Sequence, residues 1–387
     1  MSPTPTRVAL GLTLVPFVAL GLARFAYGLL LPPMRADLGW TYGAAGAVTT
    51  ANAVGYLIGA LAAAWSMHRF GVRHSVVAAT WATGAALLAN GATGAYAVIL
   101  LSRLAAGISG GVAFVSGSVL AAQLSRRGAG RALVWYPAGA GAAIAVSAVT
   151  VPGLIEPASS WPTGWFVLAA ASAACAVIVG RLLRHERDDE QPTRPRSGNG
   201  STRLPRAEVA YGLFGLGYIA YITFVVAYLR DGGASAATIV GFWFLLGAAS
   251  VVSTQVWPYV TRTRIGRSGL ALTLAGCALA VVVAVISRSV VMAALSALLF
   301  GASFLAVVTA IAELARDRVP EASWPAALAR LTIIFGVGQV LGPVLAGLLG
   351  DSPAGLRLGL GFSAATLTLA AIVAVPARTS LRTHRVP

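Results

Sequence analysis

Apolar positions fall in long unbroken blocks along this chain, not in alternation with polar ones. The blocks are rich in Ala, Leu, Val and Gly, and short segments carrying Arg, Pro and Asp separate them. A membrane-spanning helix needs about 20 mostly apolar residues in succession. Twelve runs of this kind are read, at 8–31, 43–66, 74–92, 95–124, 132–155, 163–183, 207–229, 236–259, 267–287, 289–314, 325–350 and 354–376. The period-two pattern of a β-barrel is missing. Helices, which satisfy their backbone groups internally within lipid, are therefore predicted throughout. The first run imitates a secretory signal, with Arg7 ahead of it and Gly21-Leu22-Ala23 placed like a cleavage site. It continues to Leu31, however, and eleven similar runs follow, so it reads as an uncleaved first span.

Composition agrees with that pattern. Of 387 residues, 57% are hydrophobic and 10% charged, where a soluble domain carries about 25% charged residues. The fold class predicted is an all-α integral membrane protein with the lipid bilayer as its solvent. The net charge of +16 raises the question of nucleic acid. All 28 basic residues are Arg, scattered in small clusters between apolar runs with no basic helix or stacking motif, so no nucleic-acid partner is expected. The charge reads instead as topology. With a cytoplasmic N-terminus, 21 arginines lie on the inner side, 4 on the outer side (Arg35, Arg230, Arg288, Arg357) and 3 within helices (Arg24, Arg103, Arg330). This is a strong positive-inside bias, and it places both termini in the cytoplasm. Cys175 and Cys277 lie inside apolar runs, and the four histidines lie in connections without ligand spacing, so neither a disulfide, a metal nor a cofactor is expected.

The longest polar stretch, Arg184–Arg206, is rich in Pro, Gly, Ser and mixed charge and reads as a flexible cytoplasmic linker. It divides the chain into 1–183, 184–206 and 207–387. The flanking parts repeat one another. Gly21–Asp37 aligns with Gly215–Asp231 at an offset of 194, with Arg24 opposite Tyr218, and the same offset pairs Gly107 and Ser109 with Gly301 and Ser303. At an offset of 195, Arg69–Arg73 (RFGVR) meets Arg264–Arg267 (RIGR). The shared offset predicts two pseudo-symmetric six-helix bundles, and internal repeats of this kind characterise secondary transporters, with the solute held between them near the bilayer midplane.

Twelve spans arranged as six plus six, with an Arg-Gly-Arg loop after the second and the eighth, resemble the major facilitator superfamily. The segments GLARFAYGLLLPPMRADLGWT, YGLFGLGYIAYITF (Tyr211–Phe224) and GVGQVLGPVLAG (Gly336–Gly347) resemble its YbfB/YjiJ-like bacterial branch. The resemblance implies a transporter in the bacterial inner membrane whose helices one, four, seven and ten line a central cavity. It also implies a gating loop, carried here by Arg69, Gly71 and Arg73 and, in the second copy, by Arg264, Gly266 and Arg267. His68 and Thr263 stand where the family motif has an acid, which puts the inner-side lock between halves in doubt. The helix-four pattern Arg-x-x-x-Gly is matched by Arg103 and Gly107. The glycine-proline motif of antiporters is matched only faintly by Tyr136–Gly141.

Arg24 and Arg103 carry the candidate chemistry. By helical rise, Arg24 lies about 10 Å and Arg103 about 12 Å below the outer ends of their helices, so the two share a depth. A charge there costs about 2.5 kcal/mol or more if it faces lipid, so each is expected to face a cavity or a partner. One reading is a positive pocket for the carboxylate of a solute, since a guanidinium stays charged and grips carboxylates bidentately. The other has Arg103 bonding backbone carbonyls and Arg24 snorkelling to the interface. Tyr27, three residues beyond Arg24 and so expected on its face, Asn52, Tyr218, Tyr221 and Gln339 are the polar residues that would complete the site; interhelical bonding is the alternative for each. Glu313, read as the sole acid embedded in a helix, is the candidate for proton coupling, with an ion pair to Arg316 as the alternative. The function expected is secondary active transport of a small organic solute, anionic or zwitterionic, by a monomer, with protons as the candidate coupling ion. The alternative is efflux of lipophilic compounds with the arginines structural. No P-loop and no catalytic constellation is present, so neither ATP-driven transport nor an enzyme is expected.

Overall fold

The computed structural model describes residues 4–129, 131–155, 158–185, 203–260 and 268–375. Its long helices are α1 (Pro5–Leu38), α2 (Tyr42–Phe70), α3 (Val72–Gly91), α4 (Tyr96–Leu124), α5 (Ala132–Leu154) and α6 (Trp161–Leu182). After the linker come α7 (Pro205–Asp231), α8 (Ala236–Val260), α9 (Gly269–Ile286), α10 (Val290–Arg318), α11 (Trp324–Gly350) and α12 (Leu356–Ala374). Among the described residues, eleven helices are long and apolar enough to cross a membrane. α3 falls short of them, because Arg73 and His74 at one end and Asn90 at the other dilute its hydropathy. It is nonetheless packed between α4 and α6.

Local chemistry sets the ends of these helices. Thr41 caps α2 by accepting from the Ala44 amide (3.1 Å), and Ser289 caps α10 by accepting from Met292 (3.3 Å). Gly71 links α2 directly to α3 with φ +83°, a conformation that costs a side-chain-bearing residue. α1 departs from the expected 8–31. It runs on through Pro32 and Pro33 to Leu38, and its middle, Phe17–Phe25, is π-helical. Pro16 immediately precedes that stretch and has no amide to donate, so the ladder resets there to the wider spacing seen in Ala26 N–H to Gly21 C=O (2.9 Å).

The contacts in the first six helices recur in the last six. α2 packs on α4 as α8 does on α10, α3 on α4 as α9 on α10, α3 on α6 as α9 on α12, and α1 on α5 as α7 on α11. The correspondence reaches single residues. Gly107 of α4 lies against the carbonyl of Asn52 in α2, and Gly301 of α10 against that of Leu246 in α8, each pair 194 residues apart. Neither glycine has room for a Cβ, the close approach that small residues permit in membrane helices.

Between the first six and the last six helices, α2 packs on α11, α5 on α8 and α1 on α7. Polar bonds across this junction gather toward the end where α2 and α8 begin, the arginine-poor end. There Asp351 accepts from the amides of Tyr42 (2.6 Å) and Gly43 (2.8 Å), and the Tyr42 hydroxyl bonds to Asp231. Deeper in, the Thr50 hydroxyl donates to the Val340 carbonyl (2.7 Å), and the Trp243 indole donates to Ser147 (3.2 Å). At the arginine-rich end, a 3.4 Å contact from Arg131 to Gln255 bridges the junction.

Candidate functional site

Arg24 emerges from the last turn of the π-helical stretch and is 4% exposed. It does not snorkel. Its Nη2 donates to Oε1 of Gln339 on α11 (2.7 Å), and Gln339 Nε2 in turn donates to the Tyr218 hydroxyl on α7 (2.7 Å). The guanidinium lies over the Tyr56 ring of α2, 5.2 Å from its centroid, and its Nε is buried without a hydrogen-bond partner. Four helices thus converge on one cation. Nε and Nη2 form the edge that a carboxylate grips with two parallel bonds. Here a neutral amide oxygen satisfies only one of them.

An aromatic slab continues from Tyr218. Its ring is nearly parallel to Phe214 (4.7 Å, 17°) and Phe335 (5.6 Å, 13°), and Phe335 stacks on Tyr211 (4.4 Å, 8°). Across the junction, Phe25 of α1 meets Phe304 of α10 edge-on at 5.9 Å.

Arg103 is fully buried in α4. Its Nη1 donates to the Ala23 carbonyl (2.5 Å), next to Arg24, so the two arginines do meet at one level of α1. The guanidinium lies against Tyr27 (5.0 Å) and Trp165 (5.4 Å), favourable contacts between a cation and ring faces. Its Nε and Nη2 are buried without partners. Among the described residues, neither arginine has a carboxylate partner; Glu208 pairs with Arg330 instead (3.0 Å).

The expected grouping divides accordingly. Gln339 and Tyr218 join Arg24. Tyr27 does not: it lies under Arg103 and donates to the Ala45 carbonyl (3.0 Å). The i, i+3 rule assumed an ordinary α-helix, and the wider π-helical turn separates the two side chains. Asn52 donates to the Arg103 carbonyl (3.1 Å), an interhelical bond between α2 and α4. Tyr221 turns the other way, bonding Ser296 (2.5 Å) and packing at a tilt of 39° against Phe300 (4.4 Å).

Glu313 is half-buried near the end of α10. It is not the sole acid within a helix, because buried Glu208 lies inside α7. The expected loop after α2 shrinks to Gly71: Arg69, in the last turn of α2, lies over Phe70 (5.4 Å), and Arg73, in the first turn of α3, donates to the Arg184 carbonyl (3.1 Å). Arg264, Gly266 and Arg267 lie outside the described residues.

Tyr56 and Trp165 were not anticipated. Tyr56 carries a usable signal, since it stands between Gly55 and Gly59, the glycines that bring α2 against α4. Trp165 carries none.

Residues 16–375 match the family model described as "Uncharacterised MFS-type transporter YbfB". No curated protein matches the sequence. Three solved structures share the fold. The nucleoside transporter NupG is 13% identical, with a TM-score of 0.71 over 95% of this chain and 97% of that one. A bacterial homologue of the human lysosomal transporter Spinster, in an inward-facing and occupied conformation, is 14% identical, with a TM-score of 0.74 over 96% and 97%. A mutant of the peptide transporter POT is 12% identical, with a TM-score of 0.72 over 97% and 98%. This multi-pass membrane protein is a transporter, not an enzyme, and it belongs to the YbfB-like family of the major facilitator superfamily.

Proposed function

We propose that the chain is a secondary transporter that moves a small anionic or zwitterionic organic solute by alternating access. Its moving parts are two six-helix bundles, 1–183 and 207–387, joined by the linker 184–206. It resides as a monomer in the bacterial cytoplasmic membrane with both termini inside. The observation that carries the anion reading is the edge of Arg24, buried at the junction, with one limb on a neutral amide and the other without a partner. A solute carboxylate satisfies both limbs and displaces a weaker acceptor. Arg103, sharing the level of Arg24 through Ala23, adds positive potential and a second edge of the same kind. The bonds gathered at the arginine-poor end support a state shut toward that side, which the arginine bias makes the outside.

Protons are the proposed coupling ion, with Glu313 as the titrating group. The names of the similar structures speak of nucleosides and peptides, and at such identities the likeness speaks for fold alone. A second reading, efflux of a lipophilic compound, is favoured by one observation, the aromatic slab around Tyr218.

The test is uptake of labelled organic acids, amino acids and lipophilic compounds into proteoliposomes with and without an imposed pH gradient. Acid uptake driven by the gradient, with altered pH dependence in Glu313→Gln, supports the proposal. Uptake of lipophilic compounds alone supports the second reading. Unchanged pH dependence in Glu313→Gln removes Glu313 from the coupling.

A further inference from the structure

A small cavity opens at the arginine-poor end, apart from the Arg24 network. It encloses about 280 Å³ and is lined by Pro32, Arg35, Ala36, Tyr42, Arg230 and Asp231 among others. At about 30 Å³ of liquid volume per water, that is room for about nine waters or one small organic ion. Two of the 4 arginines on this side of the chain converge on it. Topology disfavours arginine here, so membrane orientation does not account for the pairing. Nor are these cations spent on acids. Arg35 lies over the Tyr42 ring (4.1 Å) and reaches the Trp40 carbonyl only at 3.4 Å. Arg230 keeps a buried Nε without a hydrogen-bond partner. Asp231, the one acid in the lining, accepts the Tyr42 hydroxyl.

We infer that this cavity is a second anion-binding site, a staging post that holds a small carboxylate between Arg35 and Arg230. Tyr42 ties the site to the closure of the junction, because its ring lies under Arg35 while its amide and hydroxyl are held by Asp351 and Asp231. An anion on Arg35 competes with that ring and so bears on the contact that shuts this end. The inference stands whatever solute Arg24 receives.

The chain offers a clean probe, because its two cysteines, Cys175 and Cys277, are both buried. Ala36→Cys places a thiol in the cavity lining at an exposed position. The full-length protein, in neutral phosphatidylcholine proteoliposomes at low salt, is treated with anionic sulfonatoethyl and cationic trimethylammonioethyl methanethiosulfonate. With each rate divided by that reagent's rate with a free thiol, the anionic reagent is expected to react about tenfold faster, as two arginines against one aspartate in a recess of reduced dielectric dictate. Succinate should slow that reaction saturably, chloride at equal ionic strength should not, and Arg35→Gln with Arg230→Gln should abolish both effects. Equal normalised rates for the two reagents, equal protection by chloride, or protection that survives the double substitution overturns the inference. Should the double variant fail to fold, protection of Ala36→Cys alone that does not saturate with succinate also overturns it.

Discussion

Arg103 is held by its own side of the molecule: a carbonyl of α1, the rings of Tyr27 and Trp165, and a surrounding wall that leaves it no exposure. Arg24, one level away on α1, is held from the other side, by Gln339 of α11 and through it Tyr218 of α7. The same residue type at the same depth therefore does two kinds of work. A guanidinium bonded to backbone within one bundle fixes helix against helix, and removing it disturbs packing. A guanidinium bonded to a neutral side chain across the junction ties the first six helices to the last six only as long as no better acceptor arrives, and a carboxylate is better by the strength of a charge-assisted pair. In the proposed alternating access, parting the first six helices from the last six breaks the Arg24 contact and leaves the Arg103 one intact.

Substitutions at the two sites sharpen or break that contrast. The largest effect is expected for Arg103→Ala, which leaves a gap between Tyr27 and Trp165 and should cost about 3 kcal/mol of stability, in the range of large-to-small core changes. Unchanged thermal unfolding in detergent would show that Arg103 is not a strut. Gln339→Glu gives Arg24 a permanent carboxylate. It should raise the unfolding temperature while weakening binding of an organic acid by about ten- to a hundredfold, equivalent to the 1.5–3 kcal/mol of a charged hydrogen bond. Tighter acid binding in this variant would contradict the competition between Gln339 and solute. Tyr27→Phe removes the bond to Ala45 and should cost about 1 kcal/mol, read as a lowered unfolding temperature with acid affinity intact. Loss of acid binding would instead return Tyr27 to the side of Arg24. The smallest effect, under about 1 kcal/mol, is expected for Glu208→Gln, since its partner Arg330 is 39% exposed and water screens the pair.

Much of this arrangement is legible in the residue order. Of the twelve runs read, eleven reappear among the described residues as helices long and apolar enough to cross a membrane, and the 194-residue offset of Gly107 and Gly301 reappears as one contact made twice. Arg24, Arg103, Gln339 and Tyr218 announce themselves as polar groups where lipid forbids them. The partition among them is not legible, because it depends on helix phase. A spacing of three residues from Arg24 to Tyr27 implies a shared face only if the helix is regular, and the π-helical stretch after Pro16 turns them apart. The shared level of the two arginines holds, since Arg103 reaches the carbonyl of Ala23, but the depth of about 10 Å does not, because α1 runs on past Leu31 to Leu38. The aromatic partners Tyr56 and Trp165 are hidden among other apolar residues, and only packing distinguishes a ring that carries a cation from one that fills space. Glu208 falls inside the run 207–229 but in the first turn of its helix, where the run pattern alone does not separate a buried acid from one at a helix end.

In the proposed function Arg24 receives the solute's anionic group, and one titration tests that directly. Purified protein is screened by thermal unfolding against a panel of organic acids, and the acid that stabilises it most is titrated against the unsubstituted protein and Arg24→Gln. The expected result is saturable stabilisation that disappears in Arg24→Gln while the unfolding temperature without acid barely changes. Equal stabilisation of both proteins by the same acid would contradict it.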